Sequence, residues 1–396
     1  MATSKPFQIN VSEEDLELLR IKLELTRLPD QPEGYNVKQG VPVPEIIPAK
    51  WKEHEAKLNE LPMFTRPVQT DGFGTLDIHF IHKQSDAKGA IPLLFVHGWP
   101  GSFIEVTKLL DPLANPPEGK QAFHVVAPSL PNYGFSEAVK KRGFNLRHYG
   151  FVLNQLMIDL GYNQYVSQGG DWGSMITRIM GRYHEEHLKA IHVNFAAFAY
   201  GNILKQPWLL LLAFFPGWWP TKLERRGLAS GQEYMMHGNA YFKMHETRPQ
   251  TVAYCLSDSP AALLGWIYEK LLDWTDSYPF TADEILVWVS IYWFSRAGPG
   301  ASVRTYFEAN DRDLQYKDEP KANAIFDWTN PLLGVSQFPK DIVAIPRFLL
   351  RTLGRIGFER MHMSGGHFAA YEKPNELVSD LREFYGPRGE AYKLVN

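Results

Sequence analysis

A carboxylate stands at the centre of Gln168-Gly169-Gly170-Asp171-Trp172-Gly173, with small residues two before and two after it. A strand pattern precedes it at residues 164–167, and a helix pattern follows at 172–184. This is the spacing of a nucleophile elbow, a strained strand-to-helix turn that exposes one side chain at the strand end. Glycine lets the sheet and helix backbones pass close together there. Aspartate at the centre sets the class of chemistry. A carboxylate is anionic near neutral pH and displaces carbon at an epoxide or a carbon–halogen bond without help from a base. The ester it forms has a carbonyl that water can attack, whereas the ether left by a serine has none. Taken alone, Asp171 also reads as a turn residue capping the following helix.

Three other segments complete a hydrolytic set. His97-Gly98-Trp99-Pro100-Gly101-Ser102 follows the apolar run ending at Val96 and has the character of a loop supplying backbone donors to an oxyanion. The amides of Trp99 and Trp172 are the expected pair, each contributing about 3 kcal/mol when aimed at the developing charge. Gly365-Gly366-His367-Phe368 follows the last strand pattern and puts a histidine where a base for the attacking water belongs. Asp341, in Phe338-Pro339-Lys340-Asp341, is the chosen acid to orient it; Asp327, Asp318 and Glu319 compete nearby. The chain order nucleophile, acid, histidine is then Asp171, Asp341, His367.

The elements that must carry these residues alternate. Ser12 caps an amphipathic helix expected to end near Leu28-Pro29, and a second helix is expected over 44–61. Residues 65–70 and 75–82 flank Asp71-Gly72-Phe73-Gly74 as two antiparallel strands. The short apolar run at 91–96 and its repeat at 123–127 read as buried parallel strands, 164–167 and 190–195 as further strands, with helices from 103, over 146–160 and over 172–184. From 197 to 325 only helical patterns remain, among them 261–272, 282–294 and 302–310, as in a lid. Strands at 332–337 and 358–363, a helix after Asp341 and a closing helix from Asn375 end the chain. The expected fold is α/β, a mostly parallel sheet with an inserted helical lid. Its division is 1–62 as an N-terminal meander, 63–196 and 326–396 as the two parts of the core, and 197–325 as the lid.

Composition narrows the partners. The chain has 396 residues, 44% of them hydrophobic, enough for a large core. A net charge of −3 gives no basic field for nucleic acid or anionic membranes, and a small apolar ligand with water fits better. The single cysteine, Cys255, excludes an intramolecular disulfide and multi-thiolate metal sites and suits a reducing compartment. With no apolar leader ahead of the first helix, a cytoplasmic protein without a membrane anchor is expected. The run from Pro207 to Pro220 is broken by proline and glycine and falls short of the ~20 residues that span a bilayer. It reads as buried helix or a substrate-access surface, and an exposed part of it as a homodimer interface.

Over nearly its whole length the sequence resembles the epoxide hydrolases of the microsomal type, specifically their soluble fungal members, in the α/β-hydrolase superfamily. The likeness rests on the N-terminal meander, His97-Gly98-Trp99-Pro100, Gly170-Asp171-Trp172-Gly173, Phe338-Pro339-Lys340-Asp341 and Gly365-Gly366-His367-Phe368-Ala369-Ala370. It implies that two lid tyrosines hold the epoxide oxygen. Tyr241, ahead of Thr247-Arg248-Pro249, and Tyr306, in Arg304-Thr305-Tyr306-Phe307-Glu308, match their surroundings. It also implies a cis Trp99-Pro100 peptide, and a reaction needing neither metal nor cofactor. Two alternatives share the fold. A haloalkane dehalogenase would use the same aspartate but hold a halide with tryptophan or asparagine donors. A non-catalytic member would bind a small apolar molecule unchanged.

Overall fold

The computed structural model describes residues 3–30, 51–196, 220–310 and 327–395. Among the described residues nine strands, numbered in chain order, form one sheet in the order β1-β2-β3-β5-β4-β6-β7-β8-β9. β1 (Lys5–Pro6), β2 (Met63–Thr70) and β3 (Gly74–Lys83) are antiparallel neighbours, and β3 joins β5 (Phe123–Pro128) antiparallel. β4 (Ile91–Val96), β5, β6 (Tyr165–Gly169), β7 (Leu188–Val193), β8 (Thr329–Gln337) and β9 (Gly354–Met361) run parallel. The apolar runs that read as buried strands are buried because helices cover the sheet; Leu93, Leu94 and Val96 have no exposed surface.

β4 is central to the site's position. It pairs with β5 on one side and β6 on the other, so strand order reverses there. At such a switch point the loops leaving the strand ends diverge to opposite faces and open a crevice. The His97–Ser102 loop leaves β4 and the elbow leaves β6, with Val96 in register with Gly169.

Several boundaries differ from those the sequence suggests. The first helix is Glu13–Glu24, capped by Ser12 accepting from the Asp15 amide, and stops short of Leu28. Thr26 turns its hydroxyl onto the Lys22 carbonyl at 2.7 Å, occupying the acceptor its own amide would use in a continuing helix. Of the second helix, Trp51–Leu58 is described, and residues 44–50 lie outside the described residues. The N-terminal stretch also contributes the two-residue β1, whose pattern is too short to read. Residues 103–106 form a 3-10 turn before the helix Thr107–Ala114. β7 begins two residues earlier than expected, and β9 begins at Gly354 rather than Phe358. β9 is the sheet edge, where half-exposed residues blunt the apolar alternation. The helix after Asp341 is the four residues Arg347–Leu350.

Between residues 220 and 310 the described chain is helical, in Lys222–Glu233, Ala240–Thr247, Pro249–Asp258, Pro260–Asp273, Ala282–Trp293 and Arg304–Ala309. Thr221, Ser259 and Thr281 cap three of these by accepting backbone amides. Residues 207–219 of the apolar run, and with them Asp318 and Glu319, lie outside the described residues. No helix among the described residues is long and apolar enough to cross a membrane.

Candidate active site

Asp171 opens the helix Asp171–Tyr183 with a φ of 46°, a left-handed conformation uncommon for a residue with a side chain. The close packing around it requires glycine. A Cβ on Gly173 would stand 2.0 Å from the Val96 carbonyl oxygen, and one on Gly98 2.1 Å from Asp171 Oδ1. The strain therefore holds a side chain at a fixed place rather than leaving it free in a turn.

Two loops converge on that side chain. The Trp99 amide donates to Asp171 Oδ1 at 2.8 Å. The Trp172 amide lies in the first turn of the helix, where backbone N–H groups have no intrahelical acceptor. The Trp99-Pro100 peptide is cis, as the resemblance implies. Its loop is tied to the lid: Trp288 donates its indole N–H to the Pro100 carbonyl, and the Tyr292 hydroxyl donates to the Gly101 carbonyl at 2.6 Å.

His367 faces Asp171 from the opposite side, with Nε2 3.3 Å from Oδ2 but not aligned for a hydrogen bond. Its Nδ1 is 2.6 Å from Asp341 Oδ1, and both residues are buried. The same Asp341 oxygen accepts the Ile342 amide at 2.7 Å. Gln337 closes the acid loop by accepting the Ile345 amide and donating to the Ile345 carbonyl. Burial works against a charged His367 ring, yet the carboxylates of Asp341 and Asp171 outweigh it and raise the group to about 10. Burial raises Asp341, against the pull of His367. Asp327 engages Arg178 through its carbonyl and Arg182 through its carboxylate.

The lid adds the phenols. Tyr241 and Tyr306 are buried, with ring centroids 6.0 Å apart. The Trp99 ring stacks on Tyr241 at 5.2 Å, and Trp172 meets Tyr306 edge-on at 4.8 Å. Burial first, and the Asp171 charge in addition, hold both phenols well above their ordinary pKa, so they remain neutral donors. The structure thus brings Asp171, Asp341, His367, Tyr241, Tyr306, Trp99 and Trp172 together in one connected set.

Residues 4–106 match the profile of the epoxide hydrolase N terminus, and residues 91–278 that of the alpha/beta hydrolase fold. Epoxide hydrolase 1 of Sus scrofa is 30% identical over 96% of this chain and 88% of its own. An enantioselective mutant of the epoxide hydrolase from Aspergillus niger superimposes with a TM-score of 0.79 at 34% identity, over 96% of this chain and 95% of that one. This chain belongs to the epoxide hydrolases. The juvenile hormone epoxide hydrolase of Bombyx mori, 27% identical, covers 100% of the chain and 96% of its own with a TM-score of 0.86. As an α/β-hydrolase-fold epoxide hydrolase, the enzyme has site neighbours that sequence patterns did not single out. Glu105 is buried beside the Trp99 loop, where a Cβ on Gly101 would stand 1.7 Å from its Oε1. Burial, with the Asp171 charge adding, pushes its carboxyl up to about 8 against the opposing pull of His367. Its one sequence signal is an acid inside the apolar run Phe103-Ile104-Glu105-Val106. Glu372 and Trp274 hold the histidine loop, Glu372 accepting the Gly366 amide at 2.6 Å and the Trp274 carbonyl accepting the His367 amide at 2.8 Å.

Proposed function

We propose that this epoxide hydrolase works in two steps, forming an alkyl ester on Asp171 and hydrolysing it with water activated by His367. The observation that carries this reading is the unequal treatment of the two Asp171 oxygens. Oδ1 accepts the Trp99 amide, while Oδ2 faces His367. The oxygen already held by an amide is the one on which charge grows when water adds to the ester carbonyl, so Oδ2 is the attacking atom. Tyr241 and Tyr306 donate to the epoxide oxygen, and the alkoxide takes a phenolic proton as the strained ring opens.

Ester formation also sets the timing of the base. The His367 proton is supported by two carboxylates, and alkylation removes the charge of one of them. The ring then loses its proton more readily at the stage when it must accept one from water, with Asp341 fixing its orientation. Water adds to the carbonyl as His367 takes one of its protons, and the diol leaves with that proton. The remaining water proton leaves the Asp171 carboxyl to balance the one the phenol gave up, restoring carboxylate and phenol.

The test is the intact mass of His367→Gln after exposure to epoxides and haloalkanes. A mass increase of one whole epoxide, mapped to Asp171, is expected because the second step is blocked. An alkyl adduct lacking its halogen, with none from epoxides, would turn the reading toward a dehalogenase. Diol formation that survives Asp171→Ala would remove the covalent mechanism altogether.

A further inference from the structure

Tyr241 has a partner that the two steps above leave unused. The Tyr234 hydroxyl lies 3.0 Å from the Tyr241 hydroxyl, and the two ring centroids are 6.4 Å apart. A π-helical turn, Tyr234–Gly238, separates the helix Lys222–Glu233 from Ala240–Thr247. The wide turn and the break at Asn239 lie between the two tyrosines, and such turns recur at functional positions.

A phenol carries one proton and can accept at its oxygen while donating it. When Tyr241 turns its proton toward a substrate, its oxygen is free to accept from Tyr234. A hydroxyl that accepts while it donates is the stronger donor. Tyr241 and Tyr306 are 5% and 1% exposed, whereas Tyr234 is half-buried and is the member of the three that reaches the surface. Burial, opposed by its bond to Tyr241, pushes the Tyr234 phenol up to about 12, so it too stands ready as a neutral donor.

We propose that Tyr234 is a third tyrosine of the oxygen-binding set, a positioning residue that donates to Tyr241 while Tyr241 donates to the epoxide oxygen. The inference rests on the reading of Tyr241 and Tyr306 given above. As the carbon–oxygen bond of the ring breaks, the alkoxide takes the Tyr241 proton, Tyr241 takes that of Tyr234, and Tyr234 is reprotonated from solvent. Water addition in the second step returns a proton to solvent, so the cycle consumes one epoxide and one water and no other reactant.

The experiment is single-turnover stopped-flow, following tryptophan fluorescence as ester forms and decays. Styrene oxide is the first probe, or whichever of a panel of aryl and alkyl epoxides the wild type turns over best. Tyr234→Phe keeps the ring and removes the hydroxyl. It is expected to slow ester formation about five- to tenfold, the effect of one neutral hydrogen bond, and to leave ester hydrolysis unchanged. Tyr234→Phe with Tyr241→Phe should be no slower than Tyr241→Phe alone. Wild-type ester formation in Tyr234→Phe, equal slowing of both steps, or a Tyr234 effect that persists without the Tyr241 hydroxyl would overturn the proposal. If Tyr241→Phe and Tyr306→Phe both form ester at the wild-type rate, the tyrosine pair itself is misread, and the role of Tyr234 falls with it.

Discussion

Glu105 puts a second titratable carboxyl in the field of Asp171 and His367, and its charge changes near the pH at which hydrolases are commonly assayed. With its group pushed up to about 8 by burial, it is neutral below that pH and an added anion above it. An anion there holds the proton on His367 and opposes its action as a base. Ester hydrolysis is therefore expected to decline above pH ~8 in the wild type, and Glu105→Gln to remove that limb while leaving the rate below pH 7 within about twofold. An alkaline limb unchanged in Glu105→Gln would show that Glu105 only packs. Stability carries the same sign. The folded carboxyl binds its proton more tightly than the unfolded one, so its contribution falls as pH rises from the ordinary carboxyl range to about 8. Glu105→Gln should flatten that slope in denaturant titrations at pH 5 to 8. At this scale legibility follows local pattern. Asp171, Asp341 and His367 sit in loops whose small residues and chain order mark them out before any contact is known. Glu105 and Tyr234 gain their partners through a 3-10 turn and a π-helical turn, which leave no period in the sequence.

Where elements meet, the strand-to-helix junction at β6 is the tightest constraint. Gly173 lies against the Val96 carbonyl so closely that any side chain must push the helix away from β4. Gly173→Ala is expected to cost about 1–3 kcal/mol in stability. It should also lower kcat/KM by about a hundredfold, because parting β4 from the elbow moves the Trp99 amide off Asp171 by a good fraction of an ångström. Melting curves and steady-state kinetics on one preparation check both, and a stable, fully active Gly173→Ala would mean that the junction tolerates separation. The central strands β4 and β5 were legible because covering both faces of a sheet demands short, nearly continuous apolar runs, whereas β6 and β7, interrupted by Ser167, Gln168, Lys189 and His192, were marked by their alternation with helices. The ends of elements were less so. Thr26 stops the first helix through a side-chain bond that its propensity does not announce, β8 begins before Pro331 inside a strand, and β9 lies at an edge where half-exposed residues obscure the alternation.

Across the whole molecule, the described N-terminal residues touch both the sheet and the lid, which connects them to the site through other elements. β1 pairs with β2, Lys22 donates to Asp258 at 2.7 Å, and Trp51 packs on Phe294 with ring centroids 5.1 Å apart. The Trp51 indole also donates to Glu55, whose carboxylate accepts the Val11 amide at 2.8 Å. Phe294 ends the helix Ala282–Trp293, and that helix holds the Trp99 loop through Trp288 and Tyr292. A line of contacting groups thus runs from Val11 to the loop whose amide binds Asp171. Trp51→Ala empties a buried aromatic position and is expected to cost on the order of 3 kcal/mol. If the line carries support, the same variant slows ester formation severalfold and speeds amide exchange in residues 97–102, and Trp51→Phe, which retains a ring against Phe294, recovers most of both. A Trp51→Ala protein that melts earlier but forms ester at the wild-type rate, with unchanged exchange in that loop, would reduce the N-terminal segment to a cover for the core. Because exchange and ester formation read the loop while melting reads the whole fold, the two outcomes separate cleanly.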